Sequence, residues 1–130
     1  MESAAILEQC QGKNQKEIFL LYPKEDTEEL PFLKKVLQSV QLDFEHDVLS
    51  LEGSAATTFS ITDLYQHTSI TKILVFGFSP SQIGLQLNLS KYQAYPINTR
   101  TYLFADPLSA IADNKNLKGQ LWKGLQSMFE

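Results

Sequence analysis

The residues able to do chemistry stand where apolar runs end. Residues 18–22 (IFLLY) lead into Pro23-Lys24-Glu25-Asp26, residues 72–78 (KILVFGF) into Ser79-Pro80-Ser81, and residues 102–104 (YLF) into Asp106-Pro107. The stretch Gly77-Phe78-Ser79-Pro80-Ser81 sits where a strand turns into a helix, a place where backbone N–H groups and the helix dipole can hold an anion. The same residues also read as a strand end, an N-cap and a first-turn proline. No Lys-Ser/Thr follows, so this is not a nucleotide P-loop, and Gly-x-Ser-x-Gly is absent, so it is not a nucleophile elbow. His46 and His67 lie far apart in sequence, and the single cysteine, Cys10, lies far from both. That spacing points to no metal and no cofactor.

These positions require a scaffold. Runs without alternation (residues 18–22 and 72–78) predict strands covered on both faces, and residues 47–51 predict a further short strand. Leu30, Leu33, Leu37 and Val40 recur at helical steps, with Pro31 in the first turn and Glu28 and Glu29 at the positive end of the dipole. Ser60 and Asp63 predict the start of a short helix. Leu85, Leu87 and Leu89 alternate with Gln86 and Asn88, which predicts a strand with one wet face. Residues 92–97 and 100–104 pair across a turn at Asn98-Thr99, with Pro96 holding the first of them to a sheet edge. The last helix opens near Asn114. Leu117, Leu121, Leu125 and Met128 form its docking stripe, and Trp122 is expected to pack in the core. Alternating strands and helices predict a three-layer α/β/α sandwich with a central, mostly parallel sheet. Residues 17–130 are expected to form this single domain, with residues 1–16 as a mobile N-terminal arm.

Composition narrows the function classes. A chain of 130 residues with 43% hydrophobic content can bury one core and is not disordered. No apolar run approaches the roughly 20 residues of a membrane span, and no basic-then-apolar leader opens the chain. A lone cysteine makes no internal disulfide, so a cytoplasmic location is expected. The net charge of −4 divides into −7 over residues 1–71 and +3 over residues 72–130. An acidic chain does not hold nucleic acid tightly through its overall field, so direct nucleic-acid binding is expected to be weak or absent.

The closing stretch, YLFADPLSAIADNKNLKGQLWKGLQSMF, resembles the last strand, corner and final helix of the uracil-DNA glycosylase superfamily. That family's pattern of His-Pro, small apolar residues, Asn-Pro, then Leu-Lys, Trp and Leu is matched by Asn114, Leu117-Lys118, Trp122 and Leu125. The histidine position holds Asp106 or Pro107, depending on one gap. The resemblance implies a uracil-DNA glycosylase-like fold. It also implies a cleft at the strand ends lined by Pro23, Glu25, Asp26, Ser79, Asp106 and Pro107. Glu25 or Asp26 there could activate water, but no imidazole stabilises a departing base anion. The early family loop is Gly-rich, whereas residues 22–26 contain no Gly, so the cleft reads as vestigial and non-catalytic.

Within that fold the chain is similar to the psi family of accessory subunits of bacterial DNA polymerase III. It shares a proline at the start of the first long helix (Pro31) and a closing pattern met by Ile111, Asn114, Lys118, Leu121 and Trp122. This likeness implies a protein–protein adaptor of the clamp-loader assembly. Its body would bind a chi-like subunit that links to single-stranded DNA-binding protein. Ile6 and Leu7 would be the partner-binding side chains of the arm. The rival reading is a divergent glycosylase-like nucleic-acid hydrolase.

Overall fold

Two apolar runs build the middle of the sheet. β1 (Ile18–Pro23) and β3 (Lys72–Phe76) lack polar alternation, and both faces of each are covered. The computed structural model describes residues 3–129. Among them, β1 and β3 join β2 (Val48–Gly53), β4 (Tyr95–Ile97) and β5 (Arg100–Ala105) in a five-stranded sheet of order β2-β1-β3-β5-β4. β2, β1, β3 and β5 run parallel, and β4 pairs antiparallel with β5 at the edge. The fold is therefore α/β with a mostly parallel sheet.

Successive residues of each strand feed opposite cores, as the pleat dictates. On one face Phe19, Leu21, Leu49, Ile73, Val75 and Phe104 pack with Ile6 of α1 (Ser3–Gln9) and with Ile61 and Leu64 of α4 (Ile61–Leu64). On the other, Ile18, Leu20, Leu74, Phe76 and Leu103 lie under three helices. These are α2 (Leu30–Ser39), α5 (Leu108–Ala112) and α6 (Lys115–Phe129), which contribute Leu33, Leu37, Leu108, Ile111, Leu121 and Leu125. Helices on both faces are what a three-layer α/β/α order requires. Each fully buried Leu, Ile or Phe contributes about 1.5–3 kcal/mol relative to exposure.

Local chemistry sets the element ends. Ser60 Oγ accepts from the Asp63 N–H at 3.3 Å to open α4. Asn114 Oδ1 accepts from the Leu117 N–H at 3.1 Å to open α6. A short helix, α3 (Phe44–Asp47), precedes β2, and Asp43 caps it through the His46 N–H. Pro31 occupies the first turn of α2, where it removes no hydrogen bond. Pro96 lies in edge strand β4.

The structure departs from the sequence expectations at residues 85–89 and at Trp122. Leu85–Leu89 forms no strand: Gly84 turns the chain in the left-handed region (φ 81°), and β4 takes the free edge of β5 instead. Leu85 is buried, but Leu87 is 42% exposed. Residues 3–16 lie against the body. Ile6 is 1% exposed, and Gln11 exchanges backbone hydrogen bonds of 2.8 and 2.7 Å with Ser50 on the edge of β2. Trp122 is not in the core. It is 46% exposed, because Leu121, Gly124, Leu125 and Met128 form the buried face of α6 and residue 122 stands one step off it. Among the described residues no helix is long and apolar enough to cross a membrane.

α6 rests on the sheet through a glycine. A Cβ at Gly124 would lie 2.7 Å from Leu103 Cδ1 and 2.8 Å from the Tyr92 carbonyl oxygen, whereas one at Gly119 would meet nothing within 4 Å. Two substitutions of identical chemistry should therefore move stability in opposite directions. Gly119→Ala should raise the unfolding free energy by about 0.5–1 kcal/mol through helix propensity. Gly124→Ala should lower it by about 1–3 kcal/mol through overpacking. Urea denaturation of both variants checks this, and equal effects would contradict the packing described.

Candidate functional site

The carboxyl ends of β1, β3 and β5 lie side by side because the strands are parallel and in register. Leu21 pairs with Val75, and Val75 with Phe104, so the chain leaves the sheet at Pro23, Gly77 and Asp106-Pro107 in one row. The crevice outside such strand ends is the usual place for a ligand in an open α/β sheet. Here prolines narrow it. Gly77 has φ 78°, and a Cβ there would fall 2.8 Å from Pro23 Cγ and 3.2 Å from Pro107 Cγ. The two rings already occupy the space that a side chain between them would need. Only glycine fits this backbone and this gap. The Gly77 N–H donates to the Ala105 carbonyl at 2.9 Å, which ties β3 to the corner after β5.

Around this row the expected site residues fall into different environments. Pro23 is buried and Pro107 half-buried. Glu25 is exposed, in a 3-10 segment (residues 24–29) that packs against α5. Asp26 lies in the same segment and is 3% exposed; its Oδ2 has no hydrogen-bond partner. Its backbone (φ −91°, ψ 17°) departs from helical geometry and kinks the segment. Ser79 is exposed and serves as a cap. Its N–H donates to Gln82 Oε1 at 3.0 Å, and its hydroxyl lies 3.0 Å from Ser81 Oγ. The N–H groups of Gly77 and Ser79 are thus committed within the fold, which weakens the anion-binding reading of this turn.

Asp106 is the most constrained carboxylate of the set. It accepts from Lys91 Nζ and from the Tyr92 hydroxyl, each at 2.6 Å. These hydrogen bonds, Lys91 first, hold its carboxyl below the usual aspartate range. Burial, then the bond to Asp106, pushes the Tyr92 phenol upward. Tyr92 itself has φ 65°, an uncommon backbone for an aromatic residue. That turn is pinned by the Tyr92 N–H donating to the Phe104 carbonyl at 2.7 Å. Sequence reading found Asp106 but not its partners, since nothing in Ser90-Lys91-Tyr92 signals a left-handed turn. A carboxylate held ionised by a lysine and a phenol is a strut and a poor proton donor.

Another polar feature lies beside β2. Tyr22 Oη donates to Glu52 Oε1 at 2.9 Å, within a cavity of about 230 Å³ also lined by Gln9, Gln11, Lys24 and Ser50. A neighbouring cavity of about 440 Å³ continues over Gly53, Ser54 and Thr57. Neither is lined by Asp26, Ser79 or Asp106. Cys10 donates its thiol to the Ile6 carbonyl at 3.3 Å, and burial pushes it up to about 11, so it is no nucleophile at neutral pH. Of the two arm residues singled out in the sequence, Ile6 is buried in the domain's own core and Leu7 is half-buried against it. Among the described residues no group of three or more His, Cys, Asp or Glu could hold a metal ion.

The Asp106 strut should show in the acid limb of stability. Its folded pKa lies below that of the unfolded chain, near 3.9. Its contribution is therefore present above that value and is lost as pH falls through the folded pKa. Asp106→Asn should lower stability at neutral pH and flatten the decline below about pH 4. Parallel acid-limb slopes for Asp106→Asn and the parent in pH-dependent urea unfolding would refute the assignment.

No protein-family model matches the chain, and no curated protein matches it.

Proposed function

We propose that this domain is a non-catalytic adaptor: a uracil-DNA glycosylase-like scaffold that works by protein–protein contact in a clamp-loader assembly, as a psi-like accessory subunit. The observation that carries the non-catalytic part is the state of the strand ends. Pro23 and Pro107 crowd Gly77, and Asp106, which with Pro107 shares the place of the family's histidine, is held by Lys91 and Tyr92. A base excised from nucleic acid must enter a fitted pocket and leave as a stabilised anion. An ionised aspartate at that point opposes a departing anion. The order of the closing elements supports the scaffold: β5, the Asp106-Pro107 corner, short α5, the Asn114 cap and long α6 follow one another as the resemblance implies. Trp122 and Lys118, shared with the psi pattern, lie on the outside of α6, where a partner can reach them. The body, rather than buried Ile6, is then the contact surface for clamp-loader or chi-like partners.

Asp26 favours a second reading. An aspartate side chain that is 3% exposed with an unpartnered oxygen costs about 1–3 kcal/mol to keep, and an orphaned buried polar group in a native fold calls for a reason such as a working site. On this reading Asp26 activates a water and the domain is a divergent nucleic-acid hydrolase.

One experiment with two arms decides between them. Affinity purification of the tagged chain from its own host should recover clamp-loader subunits or a chi-like protein. The purified chain should release no base from uracil-containing DNA. Recovery of no replication protein would count heavily against the adaptor. Base release that is lost in Asp26→Asn or Asp106→Ala would establish the hydrolase in its place.

A further inference from the structure

The outer face of α6 carries an exposed aromatic residue with no role in the core. Lys118, Trp122, Gln126 and Phe129 recur at steps of four, four and three, which places them on one side of the helix. That side runs beside α2. Lys118 Nζ lies 5.6 Å from the Phe32 ring centre, and Gln126 and Phe129 line a groove of about 250 Å³ with Ser39, Val40 and Gln41. Low numbers meet low numbers and high meet high, so the two helices run in the same direction. By the same helical steps Trp122 falls between Lys118 and Gln126 on that side of α6. Phe32, Val36, Val40 and Phe129 are each only half-buried along it.

The two helices that form the seam carry lysines and no acids, while Glu28 and Glu29 precede α2 and Asp113 precedes α6. The lysines are Lys34, Lys35, Lys115, Lys118 and Lys123, in a chain of net charge −4. Of these, Lys34 is paired with Glu45 at 3.0 Å. The carbonyl end of α2 lies at the groove beside Val40, and a helix C-terminus carries partial negative charge. Phosphates would be repelled there, while an apolar side chain would not. The opposite end of the seam, at Lys118 and the first turn of α6, attracts carboxylates.

We infer that the α2–α6 seam is a docking groove for an acidic segment of a partner protein, whose aromatic or leucine anchor seats near Val40 and Phe129 while its carboxylates face Lys118. An amphipathic segment laid in a groove between helices, around a central tryptophan, is a recurring mode of recognition. Single-stranded nucleic acid could also stack on a tryptophan flanked by lysines. The carbonyl end at the groove, which accepts an apolar anchor and repels a phosphate, favours the protein segment. The inference rests on the adaptor reading only in taking the domain to work by contact. Loss of clamp-loader recovery with peptide binding intact would remove that assembly and leave the seam. The reverse result would remove the seam alone.

The test is panning of a random-peptide display library on the full chain, with Trp122→Ala and Lys118→Glu as comparison targets. Enriched sequences should combine Asp or Glu with Phe, Trp or Leu. A synthetic peptide of the consensus should shift the emission of Trp122, the sole tryptophan, to the blue. Its affinity should fall with salt, and by about tenfold or more in each variant with Tm unchanged. No enrichment, enrichment without acidic residues, or binding indifferent to both variants overturns the inference. So does an emission shift produced by oligothymidylate and not by peptide, or a Trp122-dependent dimer in sedimentation, which would make a second copy the occupant.

Discussion

The register among β1, β3 and β5 is the constraint on which the rest of this domain depends. Phe19, Ile73 and Tyr102 stand in one row, Leu20, Leu74 and Leu103 in the next, and Leu21, Val75 and Phe104 in the third. Alternate rows face opposite cores, so a slip of one residue in any strand would turn its apolar side chains to the wrong layer. The same register carries past the sheet edge. It sets Pro23, Gly77 and Asp106-Pro107 abreast, and the packing of two proline rings against a glycine follows from it. The proposed non-catalytic role rests on this row, because a crevice here would be a site and a filled crevice is a floor.

From that row the remaining ties are local. Gly77 is bonded to Ala105, and Asp106 holds Lys91 and Tyr92. Tyr92 is bonded to Phe104, and its carbonyl lies against Gly124 of α6. The loop before β4 thereby joins the end of the sheet to the closing helix. At the far side of the sheet, the Tyr65 and Tyr102 hydroxyls lie 2.6 Å apart, and the Arg100 guanidinium sits 3.6 Å above the Tyr65 ring. These polar contacts are placed by the apolar register; none of them would form without it.

Much of the scaffold was legible in the residues. IFLLY and KILVF read as strands covered twice because they lack any polar alternation. Pro31, Ser60 and Asn114 marked helix starts through donor-poor or acceptor-bearing side chains that do the same job in the structure. The errors have physical causes. Leu85-x-Leu87-x-Leu89 shows a two-residue period, but a strand needs a free edge, and β4 takes the one on β5. Trp122 read as core because it is large and apolar, yet its angular position, one step from Leu121, already set it off the buried stripe. The candidate site was only half legible. Asp106 and Asp26 stood at predicted strand ends, but burial of Asp26 and the Tyr92 strut depend on backbone turns that no spacing rule encodes.

Native-state hydrogen exchange at the Gly77 amide measures directly whether the strand-end row is closed. Bonded to Ala105 and flanked by two prolines, this amide should exchange only with an opening free energy close to that of Leu74 in the middle of β3. An opening free energy several kcal/mol lower, with Leu74 still fully protected, would show the row parting on its own. The crevice would then be open to a ligand, and the non-catalytic reading would fail.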